Sequence, residues 1–547
     1  MSIAISSRYL RVGLLLLGLT LVWSKADAAT VLTGFYPTGA KLGSKTEIRV
    51  SGSFDNWPVS FWCSNPEIKI VPLSKKGTVS LEASNKAQIG PCWIRAYDSK
   101  GFSTEKVFFL GNYSESTETE PNDLPASPQK ILGPTTLTGK LQKAGDVDCY
   151  SYPLKKGETL IASVTANQFL QAPMDAILQV VSQDGFVLAQ DHDEKKLDPE
   201  IVFKAPNTGD FIIRVFAFPS TPDSSIHFAG GDTYNYRLTL TNGPFPIAPW
   251  PLAFGAHDKG EVGLKGWNLE GVEPVQVSPT IFSGESEIHW RYNWSQPVNL
   301  LRTPEKSVIL PPSSSNLTLT IPVSLSLESR PKMEANVFSF HAIKGKPLDV
   351  IAQSDSLGWQ MNPVLRIKDS KGGLVQIFEP STLHKDTEGI FTPKSDGIYT
   401  MEISDLFGHH SARHLCHITI RESIPDWDLK AVTDSIKLEH DKPTEVTLNL
   451  IPKNGFKDLI EIEAIGLPEG MKMVRKEPRK PGDKTIALVF SAKPNSKQGA
   501  FQLWAWTKGD PGTKRRVQIT QENLPTRPDF WIQSIPADST KPPVKSK

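Results

Sequence analysis

Residues 146–154 read Asp-Val-Asp-Cys-Tyr-Ser-Tyr-Pro-Leu and follow a glycine at position 145. Apolar and aromatic residues alternate there with small or polar ones, as in a strand that buries one face. Comparable runs, such as 211–216 and 234–240, recur along the 547 residues between turn signals rich in Gly, Asn and Pro. Segments that read as long amphipathic helices are absent from the sequence. The pattern therefore predicts an all-β protein built from serial β-sandwich modules.

Oxygen-bearing side chains gather around the start of this strand. Asp146 and Asp148 open it, and an acidic linker, residues 118–123, precedes it. Together the two segments hold five carboxylates and one side-chain amide. Calcium is a hard cation that takes about 6–8 oxygen ligands from flexible segments. If the two segments meet in space, we expect a structural calcium site rather than a catalytic centre.

The first 29 residues have the pattern of a cleavable secretory signal. Arg8 and Arg11 precede an apolar run, 12–23, and a small-residue stretch, 26–29, follows it. The run is shorter than the ~20 apolar residues of a membrane span, and no later run is long and apolar enough. We therefore expect an exported protein of the periplasm, cell surface or extracellular space, with no membrane span after signal cleavage.

Charge and cysteine content narrow the function classes. The chain has 60 basic and 59 acidic residues, so no basic field is available for nucleic acid. Cys63 and Cys92 fall in one predicted module, where an oxidising compartment would allow a disulfide between its two sheets. Cys149 and Cys416 lie in different modules, and we expect them to be small buried residues.

An internal repeat follows from the same pattern. Residues 327–421 repeat 113–243, with Val-Phe-Ser-Phe at 337–340 in the place of Cys-Tyr-Ser-Tyr at 149–152. Repeated modules indicate an array before they indicate an active site.

The two copies differ in their acidic residues. Where the first copy has Asp146 and Asp148, the second has Glu334 and Asn336, and no acidic linker precedes it. We therefore expect the second copy to bind no metal. The fold itself does not require the metal, because the apolar pattern persists without it.

The first copy resembles the bacterial pre-peptidase C-terminal domain, a jelly-roll-like β-sandwich. The resemblance is carried by the segments 120–123, 145–150 and 209–211 and by the aspartates at 191, 193 and 198. The copy is also similar to the collagen-binding domains of clostridial collagenases, in which the acidic linker and strand-start aspartates hold calcium. The calcium ligands that this likeness implies are Glu118, Glu120, Asn122, Asp123, Asp146 and Asp148.

The whole layout resembles planctomycete-type exported proteins in which immunoglobulin-like modules flank two such sandwiches and no peptidase domain is present. The predicted units are a signal peptide (1–29), an immunoglobulin-like sandwich (30–112), the pre-peptidase C-terminal sandwich (113–243), an immunoglobulin-like domain (244–326), a degenerate second copy (327–421), a last immunoglobulin-like domain (422–519) and a Pro/Lys-rich tail (520–547).

Two further constellations carry ligand-type side chains. Asp191, Asp193 and Asp198 form either a second metal loop or an ordinary polar turn, and Lys195 and Lys196 between them favour the turn. The residue types at 409–417, which include four His and one Cys, suit zinc, but the segment also reads as a turn that leads into a terminal strand.

The sequence predicts a non-catalytic, multi-modular binding or spacer protein with a structural calcium site. Its partner would be an extracellular or envelope polymer or protein. One alternative is a polymer-binding accessory of a secreted hydrolase, with glycan contacts from Trp250, Trp267, Trp290, Trp294 and Trp359 unless these lie in cores. The other is a hydrolase with an unrecognised site, although neither His-Glu-x-x-His nor Gly-x-Ser-x-Gly occurs.

Overall fold

The structure is a computed structural model that describes residues 30–221, 227–279, 284–287, 298–309, 317–383, 385–439, 442–476, 480, 482–520 and 526–535. Strands dominate this part of the chain, and the predicted all-β fold class is confirmed. The predicted signal peptide lies outside the described residues. Among the described residues, no helix has the length and apolar character needed to cross a membrane.

The first module is a sandwich of two sheets. Its strands are β1 (Val31–Tyr36), β2 (Gly39–Lys41), β3 (Lys45–Ser53), β4 (Ser60–Cys63), β5 (Ile68–Pro72), β6 (Thr78–Ala83), β7 (Gly90–Asp98), β8 (Gly101–Phe102) and β9 (Lys106–Gly111). The sheet orders are β1-β3-β6-β5 and β2-β9-β7-β4, with β8 paired to β7. Alternate residues such as Ile48, Leu81, Ile94 and Phe108 fill the space between the sheets.

The second module is a sandwich of two five-stranded sheets. Its elements are β10 (Ser114–Thr117), β11 (Gln129–Lys130), β12 (Thr135–Lys140), β13 (Asp148–Leu154), β14 (Thr159–Thr165), α1 (Asn167–Leu170), β15 (Met174–Val181), β16 (Val187–Asp191), β17 (Glu200–Lys204), β18 (Gly209–Pro219) and β19 (Asn235–Thr241). The orders are β10-β12-β19-β14-β17 and β11-β13-β18-β15-β16. Tyr150, Tyr152 and Leu154 of β13 point into the core, as their alternation predicts.

The third module is smaller. Its strands are β20 (Phe245–Trp250), β21 (Ala253–Gly255), β22 (Gly260–Trp267), β23 (Val275–Val277), β24 (Gly284–Glu287) and β25 (Asn299–Thr303). They form the orders β20-β22-β23 and β21-β25-β24. Trp290 and Trp294 lie outside the described residues.

The fourth module repeats the topology of the second. Its elements are β26 (Ser307–Ile309), β27 (Thr318–Leu319), β28 (Val323–Glu328), η1 (Pro331–Met333), β29 (Asn336–Ala342), β30 (Leu348–Gln353), η2 (Asp355–Leu357), β31 (Pro363–Lys368), β32 (Leu374–Phe378), β33 (Thr387–Phe391), β34 (Gly397–Asp405) and β35 (Leu415–Glu422). The orders β26-β28-β35-β30-β33 and β27-β29-β34-β31-β32 match the second module strand for strand. Because β26, β27 and most of β28 precede residue 327, the expected boundary at 326/327 is corrected to about 307.

The contact between an immunoglobulin-like module and the following sandwich is also repeated. The backbone N–H of Thr38 donates to the hydroxyl of Thr138 at 3.1 Å, and that of Leu252 donates to Ser326 at 2.9 Å. Thr138 and Ser326 hold the same place on β12 and β28. The repeated unit is therefore a pair of modules, whereas the sequence indicated only the larger sandwich.

The fifth module completes the described chain. Its strands are β36 (Asp426–Ala431), β37 (Ser435–Glu439), β38 (Thr444–Lys453), β39 (Ile460–Ile465), β40 (Met471–Arg475), β41 (Thr485–Ala492), β42 (Gly499–Thr507), β43 (Asp510–Arg516), β44 (Gln518–Ile519) and β45 (Asp529–Ile535). The orders are β40-β41-β38-β36-β44 and β37-β45-β42-β39, with β43 paired to β42. The expected tail is corrected in part, because β45 is an interior strand that buries Phe530 and Ile532. Residues 536–547 lie outside the described residues.

The five modules form a closed circuit of contacts. The first and last modules meet through buried charges: Arg95 lies 3.0 Å from Glu105 and 2.9 Å from Asp434. Arg527 lies 2.7 Å from Glu105 and 2.9 Å from Asp434. Each buried ion has a partner of opposite charge, which offsets the cost of removing it from water. The ring of Trp531 also lies 4.8 Å from that of Tyr97.

The circuit continues between the two large sandwiches. Arg413 of the fourth module donates two hydrogen bonds, of 2.8 and 2.9 Å, to the buried carboxylate of Glu200 in the second. Burial acts to raise the pKa of Glu200, but Arg413 and Lys195 hold that pKa below its ordinary value. Asn454 of the fifth module donates to Asp349 of the fourth at 2.9 Å.

Candidate metal centre

The acidic linker crosses the end of the second sandwich where β13 begins. Its position is fixed by a hydrogen bond of 3.0 Å from the backbone N–H of Cys149 to the carbonyl of Asn122. Gly145 has φ +87°, a left-handed conformation that lets the turn before β13 close, and the N–H of Asp146 then reaches the carbonyl of Lys143 at 3.1 Å. We call the group formed by Glu118, Glu120, Asn122, Asp146 and Asp148 the acidic corner.

Three carboxylates meet in the acidic corner. Glu120, Asp146 and Asp148 each offer one oxygen, and these oxygens lie within 4.8 Å of one another. Asp146 and Asp148 are 2% and 0% exposed. Within the described part of the chain, no lysine or arginine forms an ion pair with Glu118 or with these three residues. A buried cluster of this kind needs a cation or protons to be stable.

The pKa values of two carboxyl groups in the corner are raised, as expected for a buried cluster without a cation. Burial, then the neighbouring carboxylates, raises the pKa of Asp148 to about 9, against a hydrogen bond from Tyr236 that acts to lower it. Burial also raises the pKa of Glu118 to about 7, with further contributions from Glu120 and Asp146. In a buried site, each ionised carboxylate makes the ionisation of its neighbours less favourable.

Three buried polar atoms on two side chains of the corner lack hydrogen-bond partners. Asn122 is 1% exposed, and neither its Oδ1 nor its Nδ2 has a partner. The Oδ1 of Asp148 has none either. Buried oxygens normally have a partner, so the Oδ1 atoms of Asn122 and Asp148 are the ones available to a ligand. Carboxylate and amide oxygens are the ligands that calcium prefers, and the donor set therefore fits that ion.

Two further oxygens of the corner accept hydrogen bonds from backbone N–H groups. The N–H of Lys140 donates to Glu118 at 2.6 Å, and that of Gln142 donates to Asp146 at 2.5 Å. Asp123, also a predicted ligand, lies at the rim, 3.9 Å from Lys143 and outside the group of three.

Two tyrosines that the sequence did not indicate support the corner from inside. The hydroxyl of Tyr236 donates to Asp148 at 2.5 Å, and the hydroxyls of Tyr150 and Tyr236 are 2.6 Å apart. These two hydrogen bonds hold the Oδ2 of Asp148 in place, whereas its Oδ1 has no hydrogen-bond partner. Tyr150 was visible only as a core residue of β13, because its partner lies 86 positions away.

A third tyrosine joins the corner to the first module. Tyr36 ends β1, and its hydroxyl lies close enough to Glu118 and Asp148 for their charges to act on it. Burial first, then the charges of Glu118 and Asp148, raises the pKa of Tyr36. The acidic corner therefore lies at the junction of the first and second modules.

The three aspartates of the possible second metal loop are not brought together. Asp198 is buried and accepts hydrogen bonds from the backbone N–H groups of Ala166 and Asn167, at 3.1 and 2.8 Å, at the start of α1. Asp191 accepts from the N–H groups of residues 194 and 200, and Asp193 pairs with His192. These carboxylates support a polar turn and form no common ligand group.

The residues at 409–417 also form no metal group within the described chain. His410 contacts the carbonyl of Ser329 at 2.6 Å, and His414 contacts Ser411 at 2.9 Å. Cys416 is buried in the core of the fourth module. The turn-and-strand interpretation agrees with these contacts.

The two cysteines of the predicted disulfide lie in one sheet and not in two. Cys63 and Cys92 lie on β4 and β7, which are neighbours in one sheet, so the expected bridge between two sheets is wrong. Both are free thiols here, and the Sγ of Cys92 contacts the carbonyl of Gly90 at 3.8 Å. A disulfide between them stays a prediction.

The described residues form neither an exposed row of tryptophans for glycan contact nor an accessible Ser-His-carboxylate arrangement for hydrolysis. Trp250 lies under the ammonium of Lys265, and Trp267 packs against Phe245 of its own module. Trp359 packs at the junction of the third and fourth modules, so these three form no exposed row. The hydroxyl of Ser324 lies 2.7 Å from His417, but Gln353 stands in the place of a carboxylate. Ser324 and His417 are both fully buried, so substrate has no access.

Comparisons with known proteins give fold-level likeness alone. No protein-family model matches the chain, and no curated protein matches its sequence. The pre-peptidase C-terminal domain of a collagenase from Bacillus anthracis is 10% identical, covers 22% of this chain and 99% of its own, and has a TM-score of 0.16.

Two larger structures are similar over more of the chain. The M60 catalytic domain with two CBM51 domains of ZmpB from Clostridium perfringens is 8% identical, covers 73% of this chain and 55% of its own, and has a TM-score of 0.13. The glucan-locus protein SGBP-B of Bacteroides ovatus, in complex with a mixed-linkage heptasaccharide, is 8% identical, with coverages of 70% and 71% and a TM-score of 0.12.

Proposed function

We propose that this chain is an exported, non-catalytic, multi-modular binding or spacer protein in which a structural calcium ion locks the first module onto the second. The observation that carries the proposal is the acidic corner. It combines three close carboxylates with buried oxygens of Asn122 and Asp148 that lack partners. Its partner would be an extracellular or envelope polymer or protein.

The position of the corner supports a lock. The linker that supplies Glu118, Glu120 and Asn122 follows β10, the first strand of the second module after the chain leaves the first. The hydroxyl of Tyr36 in the first module lies in the field of Glu118, so a cation that fixes Glu118 would act at this junction as well. Arg237 adds a second tie, because it pairs with Glu115 at 2.6 Å and its guanidinium lies over the ring of Phe109 in the first module.

The residues of the corner suit binding better than catalysis. Asp146 and Asp148 are almost fully buried and held by backbone and tyrosine hydrogen bonds. A catalytic metal keeps an open position for substrate, whereas a structural metal is enclosed by protein ligands.

Thermal unfolding in calcium and in chelator tests the proposal. Because the ion binds the folded chain, calcium at 100 times its dissociation constant should add about 2.7 kcal/mol of stability. Asp146→Asn should remove most of this response. Glu334→Gln, at the corresponding place in the fourth module, is the matched control and should leave it unchanged.

Limited proteolysis tests the lock separately. Chelation should increase cleavage within residues 113–123, because the linker is then released. Superimposable unfolding curves with calcium and with chelator contradict the calcium site. A calcium-dependent melting temperature with unchanged cleavage contradicts the lock but keeps the ion.

A further inference from the structure

A cavity of about 160 Å³ lies at the junction of the third and fourth modules. Its lining is apolar apart from the side-chain amide of Asn299, and it includes Leu252, Val298, Leu301, Leu357 and Trp359. Leu252 and Val298 are buried, whereas Asn299 is exposed, which places the mouth of the cavity beside this amide. An apolar cavity of roughly 150 Å³ holds no water and can bind benzene.

The junction of the first and second modules has two aromatic rings at the corresponding place. There α1 of the second module presents Phe169 to Phe109 on β9 of the first. The ring centroids are 5.6 Å apart, and the ring planes meet at 76°. This edge-to-face contact is one of the favoured arrangements of two aromatic rings.

Leucines replace both rings at the second junction. Leu301 takes the place of Phe109, because each pairs with the first residue of a short parallel strand, β21 or β2. The helical turn η2 has three residues where α1 has four, and it presents Leu357 where α1 presents Phe169. Both leucines line the cavity, so the space is left where the first junction packs two rings.

The second junction has instead gained an aromatic wall. The backbone N–H of Trp359 donates to the carbonyl of Ser354 at 2.9 Å, and the N–H of Ala172 makes the corresponding bond to Ala166 at 3.2 Å. A tryptophan thus stands where the second module has an alanine. An empty space deprives the surrounding side chains of van der Waals contacts, and a ring that enters it restores them.

We propose that this cavity is a binding pocket for one aromatic ring, carried as a tyrosine or phenylalanine side chain by a partner protein. A side chain is the occupant because a ring of the chain itself, that of Phe169, packs at the same place in the first junction. Trp359 offers the ring an aromatic contact, and Asn299 offers a hydrogen bond at the mouth. The inference rests on the proposed binding function and names a chemical class for its partner.

Saturation-transfer difference NMR with N-acetyltyrosinamide tests this inference. The ring protons of the probe should receive saturation from the wild-type protein. Leu357→Phe puts a ring of the protein into the cavity and should abolish the signal. Leu301→Phe fills the same space from the third module and should act alike.

Phe109→Leu/Phe169→Leu is the matched control. It exchanges the same two residue types at the first junction and leaves the cavity untouched, so the wild-type signal should remain. Circular dichroism checks that each variant is folded.

A wild type that transfers no saturation to the probe overturns the proposal, as does a signal that persists in the folded phenylalanine variants. Transfer to p-cresol without transfer to N-acetyltyrosinamide overturns it too, because the pocket would then admit a free ring and not a side chain. Ring binding without a calcium response contradicts the calcium lock alone, and a calcium response without ring binding contradicts the pocket alone.

Discussion

The acidic corner of the second module and the same corner of the fourth solve one structural problem with different chemistry. In the second module, carboxylates meet with no internal cation in the described structure. In the fourth, Asn336 takes the place of Asp148, and its Nδ2 donates to the carbonyl of Glu328 at 2.8 Å. We call Glu328, Arg330, Glu334 and Asn336 the paired corner.

The paired corner carries its own positive charges. Arg330 lies 3.2 Å from Glu334, and Lys265 of the third module pairs with the carboxylate of Glu328. An amide and two basic side chains thus do internally what a bound ion would do in the acidic corner. The comparison indicates that the sandwich needs charge balance at this end, and that a metal is one way to achieve it.

The supporting side chains differ in a matched way. In the second module, Gly139 faces Tyr236, and a Cβ at position 139 would lie 2.2 Å from the ring. In the fourth, the corresponding pair is Leu327 and Cys416. The large and small residues are exchanged, so the volume is kept while the hydroxyl that binds Asp148 is lost.

The largest expected effect comes from placing the residue of one module at the corresponding position of the other. Gly139→Leu should destabilise the protein by about 3 kcal/mol through overpacking against Tyr236. Leu327→Gly should cost about 4 kcal/mol through the cavity it leaves. Chemical denaturation measures both. Gly139→Leu/Tyr236→Cys should recover part of the first loss, and a Gly139→Leu protein as stable as the wild type would contradict the packing argument.

A smaller effect is expected from exchanging the key side chains of the two corners. Asp148→Asn should stabilise the metal-free protein at pH 8 by about 1 kcal/mol, because the folded wild type has to keep Asp148 protonated at a pH at which the unfolded chain releases the proton. The same variant should be less stable than the wild type in calcium. Asn336→Asp should cost about 2 kcal/mol in both conditions, since the hydrogen bond to Glu328 is lost. An unfolding experiment in which Asp148→Asn behaves alike with calcium and with chelator would contradict the assignment of Asp148 as a ligand.

The most gradual expected effect is the dependence of metal-free stability on pH. The folded pKa values of Asp148 and Glu118, about 9 and about 7, lie above the ordinary values of 3.8 and 4.5. The protons are therefore held more tightly in the folded state, and their contribution, complete below pH ~4, is lost as the pH rises through 7 and 9.

Between pH 6.5 and 9 the chelated protein should lose about 1 kcal/mol per pH unit, and calcium should flatten this slope. His417 has a pKa of about 4, lowered by burial, so its opposite effect is confined to pH below 6.5. A flat profile in chelator would contradict the buried, metal-dependent corner.

Much of the fold could be read from the sequence, and the errors have physical causes. The strand at 529–535 was assigned to the tail because proline and lysine dominate its flanks, although Phe530 and Ile532 alternate as a buried strand does. The boundary at 326/327 was placed too late because the short strands β26 and β27 have too few residues to show a period. In the candidate site, the carboxylates were found from their residue types, but Tyr236 and Tyr36 were not, because their contacts join distant segments.

By itself the sequence determined the all-β class, the repeated sandwich and the oxygen-bearing residue types of the acidic corner. These are local properties, set by the alternation of a strand and by side-chain chemistry. The tertiary structure alone decided which carboxylates meet, which strands are left as edges and that the modules close into a circuit. The ion pair of Arg95 with Asp434 joins residues 339 positions apart, and no local pattern encodes such a contact. It forms because buried charges need partners wherever the folded chain brings them together.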